Sequence, residues 1–120
     1  YDALNYIVGD EGIYSTPLDL LRWWKAWKYS LIVQKPTLEK ALSPQALNNG
    51  SVSRCGFSWF VEKQNRRSCI FHDGYWVGFN NIILTDLKRD ITVAILSNSN
   101  ELSTEKLRIE AAYKVVDFLI

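Results

Sequence analysis

Several residue types are scarce or missing in this sequence of 120 residues, and each scarcity excludes a kind of site. There is no methionine, one histidine (His72) and only two cysteines, Cys55 and Cys69. A structural zinc site uses four ligands drawn mainly from Cys and His, and three such residues cannot supply them. We therefore expect no metal site and no cofactor. The cysteine spacing matches no redox motif and leaves two alternatives open, a pair of reduced thiols or one disulfide.

The sequence also lacks a large excess of positive or negative residues. Fourteen Lys and Arg stand against thirteen Asp and Glu, which gives a net charge of +1. This balance does not attract nucleic acid or an anionic membrane by bulk electrostatics, so we expect no nucleic-acid partner. No apolar run approaches the roughly 18 residues that cross a bilayer, so we expect no membrane span.

What remains is the composition of a folded domain. The sequence is 48% hydrophobic and 22% charged, which is ordinary for a globular protein and unlike a disordered tail. Its length fits a single domain or a piece of a larger one. We therefore treat residues 1–120 as belonging to one domain.

Two helices are predicted in the first half of the chain. Thr16 can cap a helix, Pro17 suits its first position, and Asp19 places a carboxylate near its N-terminus. This helix is predicted to run from Pro17 to about Ser30, with an apolar stripe at three- and four-residue spacing formed by Leu20, Leu21, Trp24, Trp27 and Leu31. A shorter helix is predicted over residues 37–42.

The period of the pattern then changes from that of helices to that of strands. Alternation around Phe57, Trp59 and Val61 predicts a strand, and residues 68–72 are its predicted partner after a turn at 64–66. Further strands are predicted over residues 79–85 and 91–96, joined by a tight hairpin at 86–90.

A final helix is predicted after Ser103 or Thr104, either of which can cap it. Its predicted buried face is the series Leu107, Ala111, Val115 and Phe118. Helices, then antiparallel strands, then one amphipathic helix indicate an α+β fold in which the last helix packs on the sheet.

Four short segments form a pattern that spans nearly the whole chain. The first is residues 9–20, which lead into the first helix, and the second is the Gly-x-x-Trp motif of residues 56–59. The third is the His-x-Gly motif His72-Asp73-Gly74 with Gly78-Phe79 after it. The fourth is residues 86–90 followed by 96–98. In this order they resemble the serine β-lactamase-like proteins, which include class C β-lactamases, D-alanyl-D-alanine peptidases and related esterases.

The resemblance implies a partial β-lactamase/transpeptidase-like fold and the C-terminal part of a hydrolase domain. In that family a Ser-x-x-Lys nucleophile motif and a Tyr-x-Asn motif lie upstream of the region that resembles this chain. Tyr-x-Asn does not occur here, and the string at residues 103–106 follows His72 instead of preceding it. We interpret that string as a helix cap, and we expect the chain alone to be inactive.

The resemblance also assigns roles to the cleft strand. His72 takes a position that is more often Lys, beside the nucleophile. Gly74 lets substrate approach the strand, and the Tyr75 N–H helps to form the oxyanion hole. The alternative for His72 is a strand-end histidine with a local hydrogen bond, and the alternative for Tyr75 is packing at a loop.

Three further residues are candidate substrate contacts. Asp73 stands where penicillin-recognising members have Thr or Ser, and its carboxylate would repel a substrate carboxylate, which favours an esterase or peptidase. Trp76 could line the cleft or simply pack. Asn98 lies in the loop that borders the cleft in the resembling family.

The resemblance implies part of a serine hydrolase that acts on a small-molecule or peptide substrate through an acyl-enzyme. The alternatives are a non-catalytic binding or sensing module of the same fold and an assembly domain. The resemblance implies an extracytoplasmic location, periplasmic or secreted. It also implies that strand 91–96 has a neighbour from elsewhere in the protein, so we expect the chain by itself to form a homo-oligomer through an exposed sheet edge.

Overall fold

The computed structural model describes residues 9, 12–64, 67–76, 78–99 and 103–119. Its elements are α1 (Pro17–Lys28), α2 (Lys35–Ala41), β1 (Phe60–Gln64), β2 (Arg67–Trp76), β3 (Phe79–Asp86), β4 (Ile91–Ser97) and α3 (Ser103–Phe118). The predicted α+β class is therefore confirmed. Among the described residues, no helix is both long enough and apolar enough to cross a bilayer. Residues 65–66 of the predicted turn and the capping side chains of Ser103 and Thr104 lie outside the described part.

Helix α1 begins as its sequence predicts and ends slightly earlier. The Thr16 Oγ1 accepts a hydrogen bond from the Asp19 N–H at 3.2 Å, and Pro17 occupies the first helical position. A hydrogen bond from Arg22 lowers the pKa of the Asp19 carboxyl. The helix ends at Lys28 because Ser30 adopts a left-handed conformation with a φ of 57°. Leu31 consequently lies beyond the helix and is exposed instead of completing the apolar stripe.

The four strands form one antiparallel sheet in the order β1-β2-β3-β4. The β3–β4 connection is the predicted hairpin, and the buried Asp86 organises it. The Asp86 Oδ1 accepts hydrogen bonds from the N–H groups of Lys88 at 2.9 Å and Arg89 at 3.1 Å. Asp90 in the same turn pairs with Lys28 at 2.5 Å, which joins the turn to the end of α1.

Two strand boundaries differ from the sequence-based prediction. β1 begins at Phe60, because Ser58 has a φ of 60° and cannot belong to a strand. β2 continues to Trp76, well past the predicted end at His72, since every residue of its second half pairs with β3.

The sheet is covered on both faces. On one face α1 and the segment before β1 build a cluster of buried residues, which are Trp24, Trp59, Val61, Ile70 and Ile83. On the other face α3 closes a second cluster, formed by Ile82, Leu84, Ala112 and Val116. The last helix thus packs on the sheet as predicted, and α1 forms a layer on the opposite side.

The predicted buried face of α3 is wrong. Leu107 is 60% exposed, Val115 42% and Phe118 87%, whereas Ala112 and Val116 are fully buried. Ala111 is exposed as well. The helix carries two apolar stripes, and periodicity alone does not say which one faces the sheet.

Polar contacts orient α3. The Tyr113 hydroxyl donates to Glu62 on β1, and Asp117 pairs with Arg67 on β2. Burial and the contact with Glu62 raise the pKa of the Tyr113 phenol. These two contacts turn one flank of the helix towards β1, and the stripe that contains Ala112 and Val116 then meets the sheet.

Candidate active site

The two halves of β2 differ in how many of the described strands they pair with. β1 pairs with β2 from Gln64 opposite Arg67 as far as Phe60 opposite Phe71. Residues 72–76 continue to pair with β3, but within the described part of the chain no strand lies along their other side. This stretch, which we call the open half of β2, contains the whole His-x-Gly motif. Pairing of an extended ligand along the edge of a strand is a recurring mode of recognition.

His72 lies at the start of the open half and is exposed. Its ring Nδ1 is 2.5 Å from the main-chain oxygen of Ser58. The ring also stacks on Phe60, with centroids 6.3 Å apart and an interplanar angle of 24°. The structure therefore brings together two segments that the sequence treats separately, the Gly-x-x-Trp motif and the His-x-Gly motif. The local hydrogen bond that we gave as the alternative for His72 is present, and it leaves the other ring nitrogen for further contacts.

Asp73 projects from the opposite face of β2, since successive residues of a strand alternate in direction. Its Oδ2 lies 3.3 Å from Nη2 of Arg108, on α3. The Arg108 side chain is only 4% exposed and that of Asp73 is 24% exposed. A guanidinium that is so deeply buried needs an anion nearby, and Asp73 supplies it.

Arg108 was not among the residues singled out from the sequence. A signal for it exists: Arg108, Ala112 and Val116 recur at four-residue spacing, so the arginine sits on the face of α3 that is buried. A charged residue on an apolar helix face indicates a charged partner on the layer beneath it. The predicted buried face of Leu107, Ala111, Val115 and Phe118 does not include Arg108.

Gly74 and Tyr75 follow in the open half. A Cβ built on Gly74 meets no atom within 4 Å, so the packing of the described chain does not require glycine there. Tyr75 is exposed and Trp76 is half-buried. Both therefore present surface at the end of β2, as either a cleft role or loop packing would allow.

Asn98 comes directly after β4 and reaches the same end of the sheet. Ser97 lies opposite Asn80, which in turn lies opposite Tyr75. The Ser97 N–H donates to the Asn81 side chain at 3.1 Å, which fixes this end of β4 against β3. Asn98 is exposed. One strand therefore separates it from the open half of β2.

The tryptophans next to this region are mostly core. Trp24 and Trp59 are buried and meet edge to face, with centroids 5.4 Å apart. Trp23 stacks on Trp59 at 6.0 Å and remains 41% exposed. Trp59 belongs to the Gly-x-x-Trp motif, so the tryptophan cluster anchors the segment that holds His72.

No metal-binding cluster occurs in the part of the chain that the structure describes: no group of three His, Cys, Asp or Glu comes together there. Both cysteines are free thiols, which settles the two alternatives that spacing left open. Cys69 is fully buried in β2, and burial raises the pKa of its thiol to about 11. A thiol in that state is a poor nucleophile near neutral pH.

Comparison with known proteins agrees with the resemblance found in the sequence. Residues 1–117 match the Beta-lactamase family model. The chain is similar to penicillin-binding protein 4* of Bacillus subtilis (strain 168), with 31% identity over 107 residues, which is 83% of this chain and 24% of that protein. The chain thus spans about a quarter of the length of this relative. No solved structure matches it at a significant level. The family match covers almost every residue, including the open half of β2 and the helices on both faces, and the chain belongs to the beta-lactamase family.

Proposed function

We propose that these 120 residues are the C-terminal part of a single serine hydrolase domain that cleaves an amide or ester through an acyl-enzyme. In this proposal they supply the cleft strand and not the nucleophile, which lies upstream in a longer protein. Family membership and the much greater length of the relative support this placement. The observation that carries the proposal is the position of His72 in the open half of β2: its ring is held by the Ser58 carbonyl at the point where β1 stops pairing with β2, and the His-x-Gly motif runs on from there.

Three residues form the catalytic wall in this proposal. His72 contacts the nucleophile or its proton donor from the edge of the sheet. Gly74 keeps the strand free of a side chain where the acyl group lies, in keeping with the open space at the position that a Cβ would take. The Tyr75 N–H is one of two donors to the oxyanion that develops in the transition state, and the nucleophile's own N–H is the other.

Substrate contacts extend from the same end of the sheet. We assign Asp73, Trp76 and Asn98 to substrate binding. Asp73 takes this role as one partner of its ion pair with Arg108. Because it is ionised and paired with Arg108, the Asp73 carboxylate offers no hydrogen-bond donor to a substrate carboxylate, unlike the Thr or Ser hydroxyl of penicillin-recognising members. The substrate class that fits is therefore a small-molecule or peptide ester or amide without an anionic group next to the scissile bond. Such a substrate is compatible with an extracytoplasmic location, which we propose from the family alone.

One observation favours a second candidate function. Within these 120 residues no Ser-x-x-Lys precedes His72, and the string at 103–106 starts helix α3 on the far side of the sheet from His72. A non-catalytic binding module of the same fold would need no nucleophile. The two functions differ in whether the longer protein forms a covalent acyl adduct.

The test uses the longer protein with the single substitution His72→Ala and, as a matched control, Lys63→Ala, an exposed residue on β1 that points to the same face of the sheet. Stopped-flow measurement with p-nitrophenyl esters and a chromogenic cephalosporin gives the acylation rate constant. Losing one transition-state contact costs about 2–4 kcal/mol, so His72→Ala should acylate tens to hundreds of times more slowly while Lys63→Ala is unchanged. Equal acylation rates in all three proteins would exclude His72 from the catalytic wall, and the absence of any adduct would favour the binding module.

A further inference from the structure

The contact between His72 and Ser58 also determines which ring nitrogen of His72 carries the proton. A carbonyl oxygen can only accept a hydrogen bond, so the Nδ1 that lies 2.5 Å from it must be the donor. A neutral imidazole has one protonated nitrogen, and its other nitrogen is then an acceptor. No hydrogen bond to Nε2 is present among the described residues. We propose that the Gly-x-x-Trp segment, residues 56–59, is a positioning element that holds His72 as its Nδ1–H tautomer and presents Nε2 as a hydrogen-bond acceptor at the open half of β2.

The carbonyl that makes this contact is itself rigidly placed. Ser58 has a φ of 60°, a conformation that L-residues adopt at a cost and that surrounding contacts must maintain. The Gly56 N–H donates to the Trp59 carbonyl at 2.8 Å, and the Phe57 N–H donates to the Ala41 carbonyl at 2.8 Å. One of these hydrogen bonds joins the two ends of the segment, and the other attaches the segment to the last residue of α2.

Packing fixes the two ends of the same segment. A Cβ on Gly56 would stand 1.9 Å from the Ala41 oxygen, so only glycine allows this close approach. Trp59 is buried at the other end, in the cluster with Trp24. Ser58 thus lies between two anchored residues, and its carbonyl has little freedom to turn away from His72. The Phe60 ring, stacked on the imidazole, restricts the ring further.

This arrangement has a chemical consequence for the proposed hydrolase, on which this step rests. A lysine, the more frequent residue at this position in the resembling family, offers donors and no acceptor. His72 in the Nδ1–H tautomer offers an acceptor. The group that it meets must therefore be a donor, either a hydroxyl of the nucleophilic machinery or a hydroxyl or ammonium group of the substrate. Ser58 is a positioning residue, because it acts on that donor only through the ring.

The test reads the tautomer directly. The longer protein is labelled with ¹⁵N-histidine, and His72→Gln identifies the His72 signals in a long-range ¹H–¹⁵N correlation spectrum at neutral pH. The proposal requires a protonated Nδ1 and an unprotonated Nε2 in the wild type. An Nε2–H tautomer in the wild type would overturn it, and this result stands whether or not the protein is active.

Two variants at Ser58 add a kinetic readout. Ser58→Gly keeps the carbonyl and favours a positive φ, whereas Ser58→Pro fixes φ near −65° and moves the carbonyl. We expect the glycine variant to keep the tautomer and kcat. We expect the proline variant to lose the Nδ1–H signal pattern of His72. Because the His72 ring is then no longer oriented, its kcat should fall at least about tenfold while KM stays within about twofold. A folded proline variant with the wild-type tautomer and kcat would contradict the positioning role. A wild type with the required tautomer but no acylation would overturn the proposed hydrolase and leave this inference intact.

Discussion

Two glycines illustrate how differently the same residue type is used in this chain. Gly56 is required by packing, because a Cβ would overlap the Ala41 carbonyl, while Gly74 has open space around it. Neither glycine has a positive φ, so the contrast comes from neighbours and not from backbone conformation. The sequence shows a glycine in each motif without showing this difference.

The paired substitutions Gly56→Ala and Gly74→Ala test this difference. Overpacking of this kind typically costs 1–3 kcal/mol, so Gly56→Ala should lower the free energy of unfolding by about 2 kcal/mol or more. Gly74→Ala should leave it within about 0.5 kcal/mol, as exposed substitutions usually do. In the longer protein, the same Gly74→Ala should reduce kcat/KM by obstructing the acyl group. Urea unfolding of both variants gives the comparison, and equal destabilisation would show that the close contact at Gly56 is relieved easily.

The two thiols should react at different rates. Cys69 is buried and its pKa is raised to about 11, whereas Cys55 is half-buried. A pKa raised from 9.0 to about 11 lowers the thiolate fraction roughly 100-fold near neutral pH. Iodoacetamide at pH 8, followed by peptide mass spectrometry, should therefore label Cys55 first in the native protein and both cysteines alike in urea. Equal labelling of the native protein would contradict the burial of Cys69.

The raised pKa of the Cys69 thiol also makes the free energy of unfolding depend on pH. The native thiol of Cys69 keeps its proton to about pH 11, while the unfolded thiol loses it near its ordinary value of 9.0. Between these pH values the unfolded thiol ionises and the buried native thiol does not, which increasingly favours the unfolded state. The contribution of Cys69 to the free energy of unfolding is therefore complete below about pH 9 and is lost as the pH rises towards 11.

At the scale of elements, α3 shows what periodicity leaves undecided. Val115 and Val116 are adjacent on the chain, and one is 42% exposed while the other is fully buried. Val116→Ala should lower the free energy of unfolding by about 2 kcal/mol, from lost burial and the cavity that remains. Val115→Ala should change it by less than about 0.5 kcal/mol. Thermal unfolding distinguishes the two, and a larger effect at Val115 would restore the face that the sequence pattern predicted.

Much of the fold follows from the sequence because local signals are strong. The cap at Thr16, the run of branched apolar residues in β4 and the hairpin at Asp86 each depend on residues close together in the chain. The start of β1 was missed because Ser58 takes a left-handed conformation that only its contacts with α2 and the core explain.

The site could be predicted only in part. The His-x-Gly motif marks the strand, but two contacts that define its surroundings join distant parts of the chain. These are the Ser58 carbonyl on His72 and Arg108 on Asp73. Neither pairing can be derived from spacing, since each depends on how one layer packs against another.

At the scale of the whole molecule, one edge of the sheet stands out. β4 is the terminal strand in the order β1-β2-β3-β4, and its residues are half-buried on both faces. Tyr113 and Asp117 direct one flank of α3 towards β1, so the exposed stripe with Leu107, Val115 and Phe118 lies on the other flank, on the β4 side. Among the strands that the structure describes, none pairs with the outer edge of β4, and an apolar flank of α3 lies next to that edge.

We expect a second copy of the chain to cover this surface when the 120 residues are prepared alone. Edge-to-edge pairing of two β4 strands would also bring the two α3 stripes together. Light scattering at micromolar concentrations should then give at least twice the 13.9 kDa of one chain. The double substitution Val115→Lys/Phe118→Lys should shift the mass towards the monomer, while Leu47→Lys, an exposed loop residue, should not. A monomer at all concentrations would show that this edge is covered within one chain.

The most direct measurement of the central claim is a crystal structure of the longer protein with its nucleophile acylated by a slowly hydrolysed ester. The account predicts that the acyl group lies along residues 72–76 of β2. Its carbonyl oxygen should be about 2.7–3.1 Å from the Tyr75 nitrogen, within hydrogen-bonding distance of that N–H. The His72 ring should lie beside the nucleophile with Nδ1 on the Ser58 carbonyl. An acyl group bound away from the open half of β2, or a protein that forms no adduct, would contradict the account.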